Sequence, residues 1–153
     1  AQPIADTSAT QKHVLGTIVR AWDPTYGEGE FIYLLGLNST TVGLMVTYNA
    51  TTYQTAFTPD TALFAAPIAV AMSANVGSQY GWYQISGMAV AVKADSVSFA
   101  AGAGFGATAG LAVAAVTALV VRGAVVRVVA SAKTGVVTVA VAINRPSDAV
   151  EAN

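Results

Sequence analysis

Charged side chains are scarce in this sequence. Seven basic and eight acidic residues make up 10% of its 153 positions, against about a quarter in an ordinary soluble domain. Between residues 61 and 121 the only charges are Lys93 and Asp95. The net charge of −1 comes without a basic stripe, which argues against nucleic acid as the main partner, because phosphate binding needs clustered Lys and Arg. A near-neutral, charge-poor exterior favours association. The chain is therefore expected to act as a homo-oligomer or a lattice-bound subunit whose surface is covered by other protein. The competing expectation is an unusually apolar monomer coated in Ala, Thr, Ser and Gly.

Cysteine is absent altogether, so there is neither a disulfide framework nor a thiolate metal site. The single histidine, His13, restricts any zinc site to carboxylates, an uncommon ligand set; its expected place is the surface or the junction of an N-terminal arm. Motifs for catalysis are missing too: no Gly-x-Ser-x-Gly elbow, phosphate loop or His-Glu-x-x-His stretch occurs. The reading assigns no catalytic residue, no metal ligand and no cofactor. Glu28 and Glu30, on either side of Gly29, are the carboxylate pair best placed to hold a cation or share acid and base roles, and solvation in a glycine-flanked loop is their expected fate. Asn38-Ser39-Thr40 and Asn49-Ala50-Thr51 match the glycosylation triplet, with turn formation as the expected role.

Capped, amphipathic helical stretches are lacking outside one segment, residues 96–121, which carries no charge at all until Arg122. Its length suits a membrane span, and Gly102, Gly106 and Gly110 repeat at four-residue spacing as in close-packed membrane helices. Ala and Gly, however, give little transfer energy, and neither a Lys/Arg cluster nor an aromatic belt flanks the run. A tight loop, or a short helix packed in a subunit interface, is expected instead, with no membrane partner. Gly102-Ala103-Gly104-Phe105-Gly106-Ala107 loosely matches a dinucleotide loop, but no acid lies between Asp95 and Asp148 to hold the ribose.

What the sequence does have is β-branched and aromatic residues at period two. Phe31 to Leu35, Val42-Leu44-Val46-Tyr48, Tyr53-Thr55-Phe57, Ile68-Val70-Met72, Met88-Val90-Val92 and Val137-Val139-Val141-Ile143 read as strands. In the Ile68 run the large residues are expected to face a core and the alanines between them a close neighbour. Gly87 is expected to mark a bend or bulge in a long strand, and Asp23-Pro24-Thr25-Tyr26-Gly27 supplies turn chemistry. The expected fold is all-β, a small β-barrel or sandwich with an extended N-terminal arm and an Ala/Gly-rich segment. Residues 1–12 form the arm, 13–143 a single β-domain and 144–153 a C-terminal tail. Trp22, Tyr26, Tyr80, Trp82 and Tyr83 are expected in the core or at interface hot spots, and Arg122 and Arg127 as interface or rim charges.

Two stretches, Trp22-Asp23-Pro24-Thr25-Tyr26-Gly27-Glu28-Gly29-Glu30-Phe31 and Pro67-Ile68-Ala69-Val70-Ala71-Met72 through Tyr80-Gly81-Trp82-Tyr83-Gln84-Ile85-Ser86-Gly87, resemble proteins encoded beside the major capsid proteins of tailed bacteriophages. The layout is similar to that of capsid decoration, or cement, proteins. The resemblance covers roughly residues 13–95, and the Ala-rich stretch after Ser96 departs from it. It implies a small β-barrel that binds the major capsid protein and its own copies, trimers favoured, at symmetry axes of the phage head. It also implies a location on the virion surface after synthesis in the host cytoplasm. The alternative function is a carbohydrate-binding or adhesive β-domain of a fibre or cell-surface protein.

Overall fold

In the computed structural model, which describes residues 1–24, 26–58, 66–115, 120–128 and 137–149, the chain is all-β. Its strands are β1 (Thr7–Ser8), β2 (Ile18–Asp23), β3 (Gly27–Leu35), β4 (Met45–Tyr48), β5 (Thr55–Phe57), β6 (Ile68–Ala71), β7 (Tyr80–Lys93), β8 (Phe105–Thr108), β9 (Leu111–Ala114), β10 (Val120–Val126) and β11 (Val137–Ala149). They join in one open sheet of order β10-β11-β7-β6-β4-β5, with β1, β3 and β9 also on β7 and β2 on β3. Of the two expected architectures the sandwich is the nearer, because the sheet does not close into a barrel. All pairs are antiparallel except β7 with β9.

β7 is the spine. Its first half, Tyr80 to Ser86, pairs with β3, and its second, Ser86 to Lys93, with β11. The handover coincides with a register shift opposite Glu30 and Phe31, the bulge expected near Gly87. Gly87 has φ +101, and a Cβ there would lie 2.7 Å from the Glu28 carbonyl oxygen, so glycine alone fits. Gln84 Nε2 donates to the carbonyls of Ser86 and Met88, both at 3.0 Å, which satisfies acceptors that the bulge takes out of the ladder.

The core has three parts. One, around Ile68, Val70, Ala89, Ala91, Phe105, Val126, Val139, Val141 and Ile143, lies between the second half of β7 and strands β6 and β8 to β11. A second gathers Ile32, Leu34, Val46, Ala69, Ala71, Tyr83 and Ile85. The third is Phe31, Tyr33 and Trp82. The pattern expected for the Ile68 run holds for Ile68 and Val70, which face the first part of the core, and for Ala69 and Ala71, which share the second with the chain's own Tyr83 and Ile32; Met72 departs from it and lies partly buried against the third. With both faces of β6 covered, each buried Ile or Val there contributes about 1.5–3 kcal/mol.

Four expectations change. β4 starts at Met45 rather than Val42, because Gly43 turns away to donate to the Ala71 carbonyl (2.8 Å) and leaves Val42 59% exposed. The tail boundary at residue 144 is wrong: β11 continues to Ala149, and Arg122 pairs with Ser147. The Ala/Gly-rich segment forms neither a loop alone nor an interface helix; Phe105–Thr108 and Leu111–Ala114 make a hairpin whose Phe105, Ala107 and Ala112 are core. Among the described residues no helix is long and apolar enough to cross a membrane. The N-terminal arm, finally, expected as an extended segment rather than a folded element, is docked on its own domain, where Thr7 and Ser8 pair with Gly81 and Tyr80.

Candidate interaction surfaces

Three features stand out on the molecule: an aromatic nest under the arm, a charged groove and an apolar pocket. The nest forms where β3 and β7 pair, since that register sets Tyr33 beside Trp82. Their rings lie 4.9 Å apart, Tyr80 stacks on Tyr33 at 6.3 Å, and His13 packs against Tyr33 and Trp82 at 5.2 and 5.1 Å. Gln2 closes it. Its Oε1 accepts from the Tyr33 hydroxyl (2.7 Å), its Nε2 donates to the Tyr80 carbonyl (2.8 Å), and its carbonyl accepts from the Trp82 indole N–H (3.0 Å). His13 thus sits at the arm junction, as expected.

The charged groove, about 400 Å³, is lined by Arg20, Glu28, Gly29, Glu30, Ser86, Asn144 and Arg145. The β2–β3 register puts Arg20 opposite Glu30 and diagonal to Glu28, two residues along on the same face, and its guanidinium reaches them at 3.5 and 3.6 Å. Arg145 arrives from β11 and meets Glu30 at 3.3 Å. Its backbone has φ 46, beside the register shift between Arg122 and Ala124 of β10; a bulge re-aims side chains in this way. Glu28 and Glu30 do point the same way, and no set of three metal-ligating side chains occurs among the described residues. Glu28, with 61% of its side chain exposed, keeps the solvation expected of it, whereas Glu30, at 21%, is held between the two guanidinium groups; both stand on β3 rather than in a loop.

The apolar pocket, about 220 Å³, is formed by Phe31, Val42, Ala71, Met72, Met88 and Val90, with Asp23, Tyr26, Gly27 and Gln84 at its margins. This volume lies below the 300–1,000 Å³ of small-molecule and cofactor sites. It is the size of a single side chain.

The aromatic set divides. Trp22 is 75% exposed and Tyr26 41%, so both are free to contact another molecule. Tyr80 is half-buried in the nest. Trp82 and Tyr83, at 2% and 0%, are removed from the candidate interface: they occupy β7 positions covered by the arm and by β6 respectively. Arg122 and Arg127 are both exposed along β10 and just past it, where Arg127 borders a shallow groove with Gly123, Val125 and Asn144. Sequence reasoning missed Arg20, Arg145, Asn144, Met72 and Met88. Pairing of the stretches on either side of the Asp23–Gly27 turn is the signal that could have found Arg20, which it sets opposite Glu30, but nothing local could link Arg145 to a residue 115 positions away.

Comparison with family models, curated proteins and solved structures finds no match. The functional reading therefore rests on the residues and their geometry.

Proposed function

We propose that this chain is a non-catalytic structural subunit that decorates and cements the outer surface of a tailed-phage head, binding the major capsid protein and its own copies. The observation that carries the reading is the surface. Over 7414 Å² the chain spreads seven basic and eight acidic residues, and Arg20, Glu28, Glu30 and Arg145 are spent on one another. Val14, Trp22 and Val42 meanwhile stand 76%, 75% and 59% exposed. Such a mixture of bare aromatic and aliphatic groups with few charges has the composition of an interface centre. Adhesion is then the mechanism: each copy buries an area on the order of 800 Å², and many copies on one shell act together.

Co-sedimentation with bare, expanded capsids tests it. The protein should pellet with the shells at a fixed copy ratio and raise their resistance to heat, and Trp22→Ser with Tyr26→Ser should lower occupancy. Absence of binding to any such shell would end the proposal. The second reading, a carbohydrate-binding or adhesive domain, is favoured by Trp22, which is cross-strand from Glu28 at the wall of the charged groove. Glycan-array binding that Trp22→Ser abolishes would support it in place of the first.

A further inference from the structure

β2 pairs with β3 and with no other strand among the described residues, so one long side of Ile18–Asp23 is open. The phase of that side follows from the ladder. Tyr33 N–H donates to the Thr17 carbonyl at 2.9 Å, and with Ile18 opposite Ile32 the alternation of an antiparallel pair aims the N–H and C=O groups of Val19, Ala21 and Asp23 at β3. Those of Ile18, Arg20 and Trp22 consequently point outward.

Exposed edges are normally blunted by proline, by a bulge or by charged side chains. β2 has neither of the first two: it contains no proline and its register with β3 is unbroken. Of its two charged side chains, Arg20 is held by Glu28 and Glu30, and Asp23, at the end of the strand, accepts from the Tyr26 N–H at 2.8 Å. We propose that this edge is a self-association surface, on which a second copy of the chain lays its own β2 antiparallel across a twofold axis. The contact gives a geometry to the self-binding part of the proposed function, but it is read on the isolated chain, so its failure is distinguishable from a failure to bind shells.

Self-complementarity is what selects a second copy as the occupant. Only Ile18, Arg20 and Trp22 offer outward donors and acceptors, so they must pair among themselves, and the register centred on Arg20 uses all three. It sets Ile18 of each copy opposite Trp22 of the other, on one face of the continuous sheet. Aromatic with β-branched is a favourable cross-strand pair, and here it occurs twice, between side chains that are 42% and 75% exposed in the single chain. The two Arg20 groups would face each other, but each sits in a cluster of two guanidiniums and two carboxylates with no net charge. Such an interface is isologous and closes at two copies per contact.

Because the chain has no cysteine, Arg20→Cys introduces a single thiol. In the proposed register the two Cα atoms at this position are about 5.5 Å apart, within disulfide range. Mild oxidation should convert this variant to a covalent dimer, whereas Asp95→Cys, at an exposed site off the edge, should stay monomeric. Without any thiol, sedimentation equilibrium should find a dimer in the parent chain and at least about thirtyfold weaker association in Trp22→Ser, with the strand signal in circular dichroism unchanged. A parent chain that is monomeric at about 1 mM overturns the proposal. So does a dimer that Trp22→Ser leaves intact, or cross-linking that is no faster at position 20 than at position 95.

Discussion

Tyr83 lies fully enclosed between β3 and β6, and its hydroxyl accepts a hydrogen bond from Asn75 Nδ2 at 3.0 Å. Burial pushes this phenol above its ordinary pKa, opposed only in part by hydrogen bonds with Asn75, Thr55 and Thr40. The sign for stability follows. An unfolded tyrosine releases its proton near pH 10, the folded one later, so above about pH 10 the unfolded chain binds fewer protons and stability falls as pH rises. Below that pH the contribution is fully present. Tyr83→Phe removes the titration but also the partner of Asn75, which keeps only a long 3.5 Å contact to the Leu34 carbonyl. The variant should lose about 1–3 kcal/mol at neutral pH, and its denaturant midpoint should decline less than the parent's between about pH 9 and pH 11. Equal decline in both proteins would show that Tyr83 is not the group responsible.

At the scale of elements the β8–β9 hairpin offers the clearest lever. Its turn is Ala109-Gly110, with φ of 48 and 84, between Thr108 and Leu111, which pair. Positive φ at both central residues is the type I′ geometry that suits the strand twist and that Asn-Gly fills best. Gly110 is at ease there, but alanine in this region costs roughly 1–2 kcal/mol. The backbone is nonetheless pinned, because the Ala109 N–H reaches the Thr58 carbonyl, Gly110 N–H reaches Thr58 Oγ1, and the Gly110 carbonyl accepts from Met45 N–H, at 2.8, 2.8 and 2.9 Å. Ala109 is exposed, so Ala109→Asn should stabilise by about 1 kcal/mol and raise the thermal midpoint by roughly 2–4 °C. The same hairpin shows where sequence reading stops. Period-two runs and turn residues made most strands legible, β3, β6, β7 and β11 above all, and Gly87 announced its bulge. In 96–121 alanine and glycine carry no alternation of size or polarity, so neither face could be told apart. Likewise Ala89 and Ala91 enter the core while the larger Met88 and Val90 line the apolar pocket, an assignment set by Phe99 and Phe105 sharing that core from distant sequence. The charged groove stayed hidden for a related reason: Arg145 joins it through a bulge marked in the sequence only by Gly123, where φ is 74 and a Cβ would lie 2.8 Å from the Asn144 carbonyl oxygen, and that glycine says nothing of Glu30.

For the whole molecule, the decisive question is how the docked arm and the proposed adhesion fit together. An arm that clasps a neighbour must first leave its own domain, and here it holds Gln2 in the aromatic nest, Ile4 against the third core and Thr7 on β7. Gln2 alone makes the three hydrogen bonds to Tyr33, Tyr80 and Trp82, worth on the order of 3 kcal/mol together. At that cost a released arm would be a minor state of the isolated chain, below about one molecule in a hundred, unless a neighbour offers an equivalent nest. Another copy does offer one, so exchange between subunits would preserve every contact. Removing residues 1–8 separates the roles. If the arm serves its own domain, the truncated chain should stay folded but lose roughly 6–12 °C in thermal midpoint, and Gln2→Ala, which keeps the backbone carbonyl that accepts from Trp82 but loses the side-chain bonds to Tyr33 and Tyr80, should reproduce part of that loss. Capsid occupancy of the truncated protein, measured below its new midpoint, should then equal the parent's. A fall in occupancy at matched stability would instead assign the arm to a neighbouring subunit on the shell, with the nest as the receptor it fills.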